Sequence, residues 1–281
     1  MGYSMDNIGT HIKHRRKLMS LTQAQLATRS AVSQASISRL ENGDASMALE
    51  QFVSLLHTLC LNIDDVFPTT LTAEITDTTN TLDDARKLMD TKRIERILNA
   101  HPPTFWRKSP ELHIYLMWHE AILSHCRGDT RDAILKIERI TKQYHDVPTC
   151  YEIVAQVLNN LGNIHTDLNK KLHAYNKAKE LYLNSTKSNY HTYIKILVNL
   201  SNTYCKKENY KQSLRHVNAA YEVLREKHST YLMTKLTIIE CNAHHFLNNY
   251  DTCMEKMNGS RSFFEHANQL EKWETYKKIF T

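Results

Sequence analysis

An all-α chain in two parts, a small helical head followed by a long array of helix pairs, is the fold class this sequence predicts. Three observations carry that expectation. Six Gly and five Pro in 281 residues are too few breakers for a turn-rich β fold. Apolar residues recur at helical spacing in both parts rather than alternating. In the second part the helix-break pairs Gly128-Asp129, Leu168-Asn169, Glu208-Asn209 and Asn248-Asn249 return every 40 residues, a period that means stacked helix pairs, an α-solenoid.

The head is read first. Thr22 with Gln25 three positions later forms a Thr-x-x-Gln capping box and opens a short helix in which Leu26 and Ala27 face inward. Ser33 caps a second helix that runs to Gly43, a residue suited to the positive φ that follows a helix end. At about 100° per residue, Ile37 and Leu40 share one face of that helix, and Gln34, Ala35, Ser38 and Arg39 share the other. A short helix with an apolar anchor and a Gln/Ser/Arg outer face suits the major groove, where Gln pairs with adenine and Arg with guanine.

These residues resemble the helix-turn-helix of the phage-repressor (Xre/Cro) family, a λ-repressor-like head. The resemblance runs from Asn7 to Phe67: the Leu-Thr-Gln-x-Gln-Leu-Ala opening, the Ile-Ser-Arg-Leu-Glu-Asn-Gly close, and the Leu61-x-Ile-x-x-Val-Phe67 tail. It implies that Gln23 touches phosphate, that Gln34, Ala35, Ser38 and Arg39 face base edges beside the cap Ser33, and that Asn42 contacts the DNA backbone. It also implies a structural ion pair between Arg16 and Glu41. Where the family often has a second polar residue this chain has Ala35, a methyl better matched to thymine.

Composition sets outer limits. A hydrophobic fraction of 41% with 23% charged residues is that of a soluble globular protein, and 281 residues suffice for two cores. No apolar run approaches the ~18 residues of a membrane span, and no signal-peptide core opens the chain. Six cysteines without Cys-x-x-Cys spacing fit free thiols in a reducing cytoplasm. The net charge of +6 is less telling than it looks. Residues 1–67 hold six Lys/Arg (13, 15, 16, 17, 29, 39) and six Asp/Glu (6, 41, 44, 50, 64, 65), so the head is neutral and the excess lies downstream. Lys13, Arg15, Arg16 and Lys17 cluster, a polarity that orients a head on phosphates yet leaves a lone copy binding weakly; a dimer is expected.

The head is bounded at residues 1–67. Residues 68–81, Thr-rich and opened by Pro68, read as a linker with one short turn of helix. Residues 82–281 read as the repeat domain. Asn160-Leu-Gly-Asn-Ile-His165 aligns with Asn199-Leu-Ser-Asn-Thr-Tyr204 and resembles the tetratricopeptide motif in a lengthened form. Five units are placed near 82–108, 109–147, 148–187, 188–227 and 228–269, with a terminal helix docking through Trp273, Tyr276 and Ile279. Ala121, Gly162, Ser201 and Cys241 fall where one helix crosses its partner, and Ala133, Ala174, Ser213 and Cys253 lie opposite, small because crossing axes are only ~8–10 Å apart.

The first helix of each unit lines the concave side. There the pattern projects Asn159, Asn163, Lys195, Asn202, Lys235, Asn242 and His245. Asn163, Asn202 and Asn242 are equivalent, as are Lys195 and Lys235. Amides in a row satisfy the N–H and C=O groups of an extended peptide, and a lysine holds a carboxylate. No catalytic constellation, phosphate loop or metal spacing is found; no enzyme and no cofactor are expected.

A Xre-type head joined to about five tetratricopeptide-like pairs resembles the RRNPP superfamily of peptide-sensing regulators (the Rgg, PlcR and PrgX type). That resemblance implies a cytoplasmic homodimer on double-stranded, pseudo-palindromic operator DNA, controlled by a short signalling peptide in the groove (quorum sensing). Two other readings stay open: a ligand-independent phage-type repressor whose repeats only dimerise, and a tetratricopeptide adaptor for a protein partner.

Overall fold

The computed structural model describes residues 5–43, 47–61 and 70–280 and divides into two compact units, Met1–Asn80 and Thr81–Thr281. Among the described residues every regular element is helical. In the first unit α1 (Met5–Leu18), α2 (Gln23–Ser30), α3 (Gln34–Glu41) and α4 (Leu49–Thr58) surround a core that includes Ile12, Leu26, Ile37, Leu40, Leu55 and Leu59, each at most 2% exposed. Thr22 accepts from the Gln25 N–H while the Gln25 side chain accepts from the Thr22 N–H, so the capping box is complete. Ala31 then turns the chain in the left-handed region, φ 54°, and Ser33 caps α3 by accepting from the Ser36 N–H. The Ile63–Phe67 part of the head's closing motif lies outside the described residues.

Where a linker was expected over 68–81, the structure has a helix, α5 (Thr70–Lys87). Its buried stripe explains the misreading. Thr78 sits between Ile75 and Leu82 on one face and is 5% exposed, so a threonine fills a position that an apolar residue would have advertised. Thr79 Oγ1 donates back to the Ile75 carbonyl, which lets a Thr-rich stretch satisfy its hydroxyls inside a helix.

The second unit continues with α6 (Thr91–Ala100), a single turn α7 (Pro103–Trp106), and four long pairs: α8 (Pro110–Cys126) with α9 (Thr130–Tyr144), α10 (Tyr151–Ile164) with α11 (Leu168–Leu183), α12 (Tyr190–Lys206) with α13 (Tyr210–Glu226), and α14 (Met233–Phe246) with α15 (Tyr250–Gly259). Short α16 (Arg261–His266) and α17 (Leu270–Phe280) close it. All eight small crossing residues named above are buried, and Cys241 Sγ lies 3.5 Å from the Cys253 carbonyl oxygen across one crossing. A Cβ on Gly162 would stand 2.2 Å from Cε1 of Tyr175, so this glycine is what lets α10 and α11 touch.

One turn is reused between helices. At Met89-Asp90, Gly128-Asp129, Glu208-Asn209 and Asn248-Asn249 a left-handed residue precedes an Asp or Asn whose N–H returns to the carbonyl five residues back, at 2.9 Å each time. That is a Schellman closure whose last residue is the next helix's N-cap. Asp90, Asp129 and Asn209 also accept from the third N–H of the helix they open. The Met89-Asp90 copy falls in the first unit, where the 40-residue series of breaks did not reach. The Leu168-Asn169 break is corrected: both residues are inside α11, the chain leaves α10 at an extended His165, and Asp167 is the cap. In the terminal helix Trp273 docks, its indole N–H donating to the Met257 carbonyl at 2.7 Å, but Ile279 is 59% exposed and Phe280 takes the inward place.

Candidate recognition helix and amide cavity

In the head, Gln34, Ala35 and Arg39 are exposed on α3, Ser38 is half-buried beside them, and Ile37 and Leu40 hold the opposite face in the core. Asn42 is exposed at the helix end, followed by Gly43 at φ 82°. Arg16 and Glu41 form a bidentate pair, Nε–Oε1 2.6 Å and Nη2–Oε2 2.8 Å, and Arg16 Nη1 also donates to the Leu21 carbonyl. Burial pushes the Glu41 carboxyl up, but hydrogen bonds from Arg16 and Gln23 and the charges of Arg16 and Lys13 outweigh it and hold the carboxyl below its usual range.

Gln23 Nε2 donates one of its two N–H groups to Glu41 Oε2 at 2.9 Å, which ties the expected phosphate ligand to the ion pair and leaves the other N–H. In the basic cluster Arg16 is buried and Arg15 Nε donates to the Leu59 carbonyl; Lys17 is exposed, and Lys13 and Arg15 are half-buried. Ser33 spends its hydroxyl on the cap and on Ser36.

In the repeat unit, Asn159, Asn163 and Lys195 line one cavity of about 170 Å3, together with Arg86, Trp118 and Thr192. Its amides are knitted: Asn199 Nδ2 donates to Asn159 Oδ1 at 2.9 Å and to Asn163 Oδ1 at 3.3 Å, and the Tyr175 hydroxyl donates to Asn163 Oδ1 at 2.8 Å. The Nδ2 groups of Asn159 and Asn163 donate to no described residue. Arg86 lies over the Trp118 ring at 4.5 Å, donates from Nη2 to Asp83, and keeps a buried Nε without a partner. Burial, and then the charge of Arg86, push the Lys195 ammonium below its usual range; Asp83 opposes and Lys87 adds to the fall. Two cations facing one acid, with amide donors beside them, make a place for an anion and for backbone carbonyls.

The amide row expected along the concave side is not gathered into this one cavity. Asn202 and Lys235 are exposed and Asn242 half-buried, and none of them lines this cavity. His245 is packed among Phe246, Tyr250 and Phe280, with ring centroids 5.2 to 5.8 Å away and its Nδ1 buried without a partner. Arg86 and Trp118 were missed. Stepping the repeat register back one unit puts Trp118 at the Asn159 position, a signal that was available; Arg86 sits on the helix that had been read mostly as linker.

A helix-turn-helix family model matches residues 12–65. No curated protein matches the chain. Among solved structures, Bacillus thuringiensis PlcR in complex with the peptide PapR7 and DNA is 19% identical with a TM-score of 0.65, covering 98% of this chain and 99% of that one. Rgg2 of Streptococcus dysgalactiae, an SHP pheromone receptor, is 14% identical with a TM-score of 0.62 over 97% and 98%. ComR from S. thermophilus, in complex with DNA and its signalling peptide ComS, is 13% identical with a TM-score of 0.58 over 97% and 99%. The chain has their fold from end to end.

Proposed function

We propose, from the premise that this chain is a transcriptional regulator with an Xre-type helix-turn-helix domain and the fold of the RRNPP peptide-sensing regulators, that a short signalling peptide bound at the amide cavity controls its hold on operator DNA. The observation that carries the peptide reading is the convergence of Asn159, Asn163, Lys195 and Arg86 on one cavity, with unspent amide donors and an uncompensated positive charge. In that reading the peptide's carbonyls take the amides and its carboxylate takes the cations. The protein acts in the cytoplasm as a homodimer whose two α3 helices read half-sites about one helical turn, or a multiple of it, apart. The peptide shifts the population that matches that spacing by as much as its affinities for the two arrangements differ. Among the described residues no helix is long and apolar enough to cross a membrane.

Two titrations test this. With a fluorescent operator, Gln34→Ala and Arg39→Ala each weaken specific binding by about 1–3 kcal/mol and leave non-specific binding nearly unchanged. If neither weakens it, the recognition face is wrong. In calorimetry with short synthetic peptides, Lys195→Ala lowers the affinity of any peptide that binds, and C-terminal amidation of the peptide reproduces that loss. Equal affinity of wild type and variant removes the cavity from the mechanism.

A further inference from the structure

Another opening in the repeat unit is roomier than the amide cavity. It is a cleft of about 940 Å3 between α9 and α11. Both helices pack on α10 but hardly on each other, which leaves a trough along the array's outer layer. Its floor is apolar, made by Leu158 and Leu161 of α10, Ala174 of α11 and Ile134 of α9. Leu158 and Leu161 lie about 100–160° around the helix from Asn159 and Asn163 at 100° per residue, and the cleft and the amide cavity share no lining residue. Its rims are cationic: Lys142 on one wall, Lys170 and Lys177 on the other, against the single acid Glu138. Those three lysines form no ion pair with any described residue. His173 and His165 add polar rims; His145 is engaged by Asp146 at 2.9 Å.

We infer that this cleft is a docking site for an acidic amphipathic helix of a partner protein. Length and charge both select that occupant. The α9 wall runs from Ile134 to His145, roughly 16 Å at 1.5 Å per residue, or about three helical turns. A guest helix with apolar side chains at i, i+4 and i+7 lays them on the Leu158, Leu161 and Ala174 floor. Acids flanking that stripe meet lysines on both sides, whereas a basic helix meets the same lysines as repulsion.

The test uses the full chain and a fluorescein-labelled synthetic helix of about four turns, with Leu at i, i+4 and i+7 and Glu on both flanks, read by anisotropy. Saturable binding with Kd on the order of 10 µM is expected. Lys142→Glu with Lys177→Glu, both at exposed positions, weakens it at least about tenfold, and Glu138→Lys strengthens it, so opposite signs separate docking from misfolding. A probe with Lys in place of Glu does not bind. No saturation by about 1 mM, equal binding by the doubly charge-reversed chain, or binding of dodecanoate in place of the helix overturns the inference. None of these outcomes depends on the peptide at the amide cavity, which shares no lining residue with the cleft.

Discussion

Glu41 shows how one residue ties the reading surface to the head's stability. Its carboxylate closes α3, is fully buried, and receives both Arg16 and Gln23. Removing it leaves the buried Arg16 guanidinium uncompensated, so Glu41→Ala costs about 3 kcal/mol, measured by chemical denaturation of the head. The pH dependence has a definite sign. A carboxyl held below its unfolded value contributes stability that is complete above the ordinary carboxylate pKa and is lost as pH falls through the lower folded value. The head's denaturation midpoint therefore declines under acid conditions, and Glu41→Gln flattens that decline. The resemblance to phage repressors named this pair, and the capping and apolar spacing named the α3 face. The internal bonds of Gln23 to Glu41 and of Arg15 to the Leu59 carbonyl were not legible because they are tertiary: neither partner is near them in sequence.

Among the elements, α10 and α11 are held closest by a glycine. Gly162→Ala forces a methyl into the buried Tyr175 ring, which is 2% exposed and has nowhere to swing. The expected cost is about 1–3 kcal/mol of repeat-unit stability, read from the denaturation midpoint. Because Tyr175 donates to Asn163, the same change loosens the amide cluster and lowers peptide affinity. The small residues at each crossing were legible because close packing leaves no other choice of side chain. The amide row was not. Equivalent positions in a repeat face the same side, yet whether they share a cavity depends on how each unit is closed, and Arg86 and Trp118 close it only at the first end. Glu152 was equally hidden: from α10 its carboxylate accepts from the backbone N–H groups of Ser188 and Asn189, bracing the loop that leads to α12.

For the whole molecule, the division into two compact units sets the expectation for unfolding. The head is built on Ile12, Leu26, Ile37 and Leu55, and the repeat unit holds one cluster around Leu197, Val217 and Leu236 and another around Cys253, Met257 and Phe264. Calorimetry should resolve two transitions: Glu41→Ala lowers the one belonging to the head, and Gly162→Ala lowers the other. A single transition moved equally by both changes would show the two units melting as one. Fold class was readable because period and capping act locally. The helix over 70–87 was not, since Thr78 takes a buried position on its inner face without an apolar signature.

The shared turn at Asp90, Asp129, Asn209 and Asn249 leaves no spare residue between one helix and the next. Adding a single amino acid there rotates everything that follows by about 100° and unseats the downstream packing. Growth by insertion is thus channelled to the longer connections at 145–150 and 184–189, which hold residues beyond the closing turn and the cap.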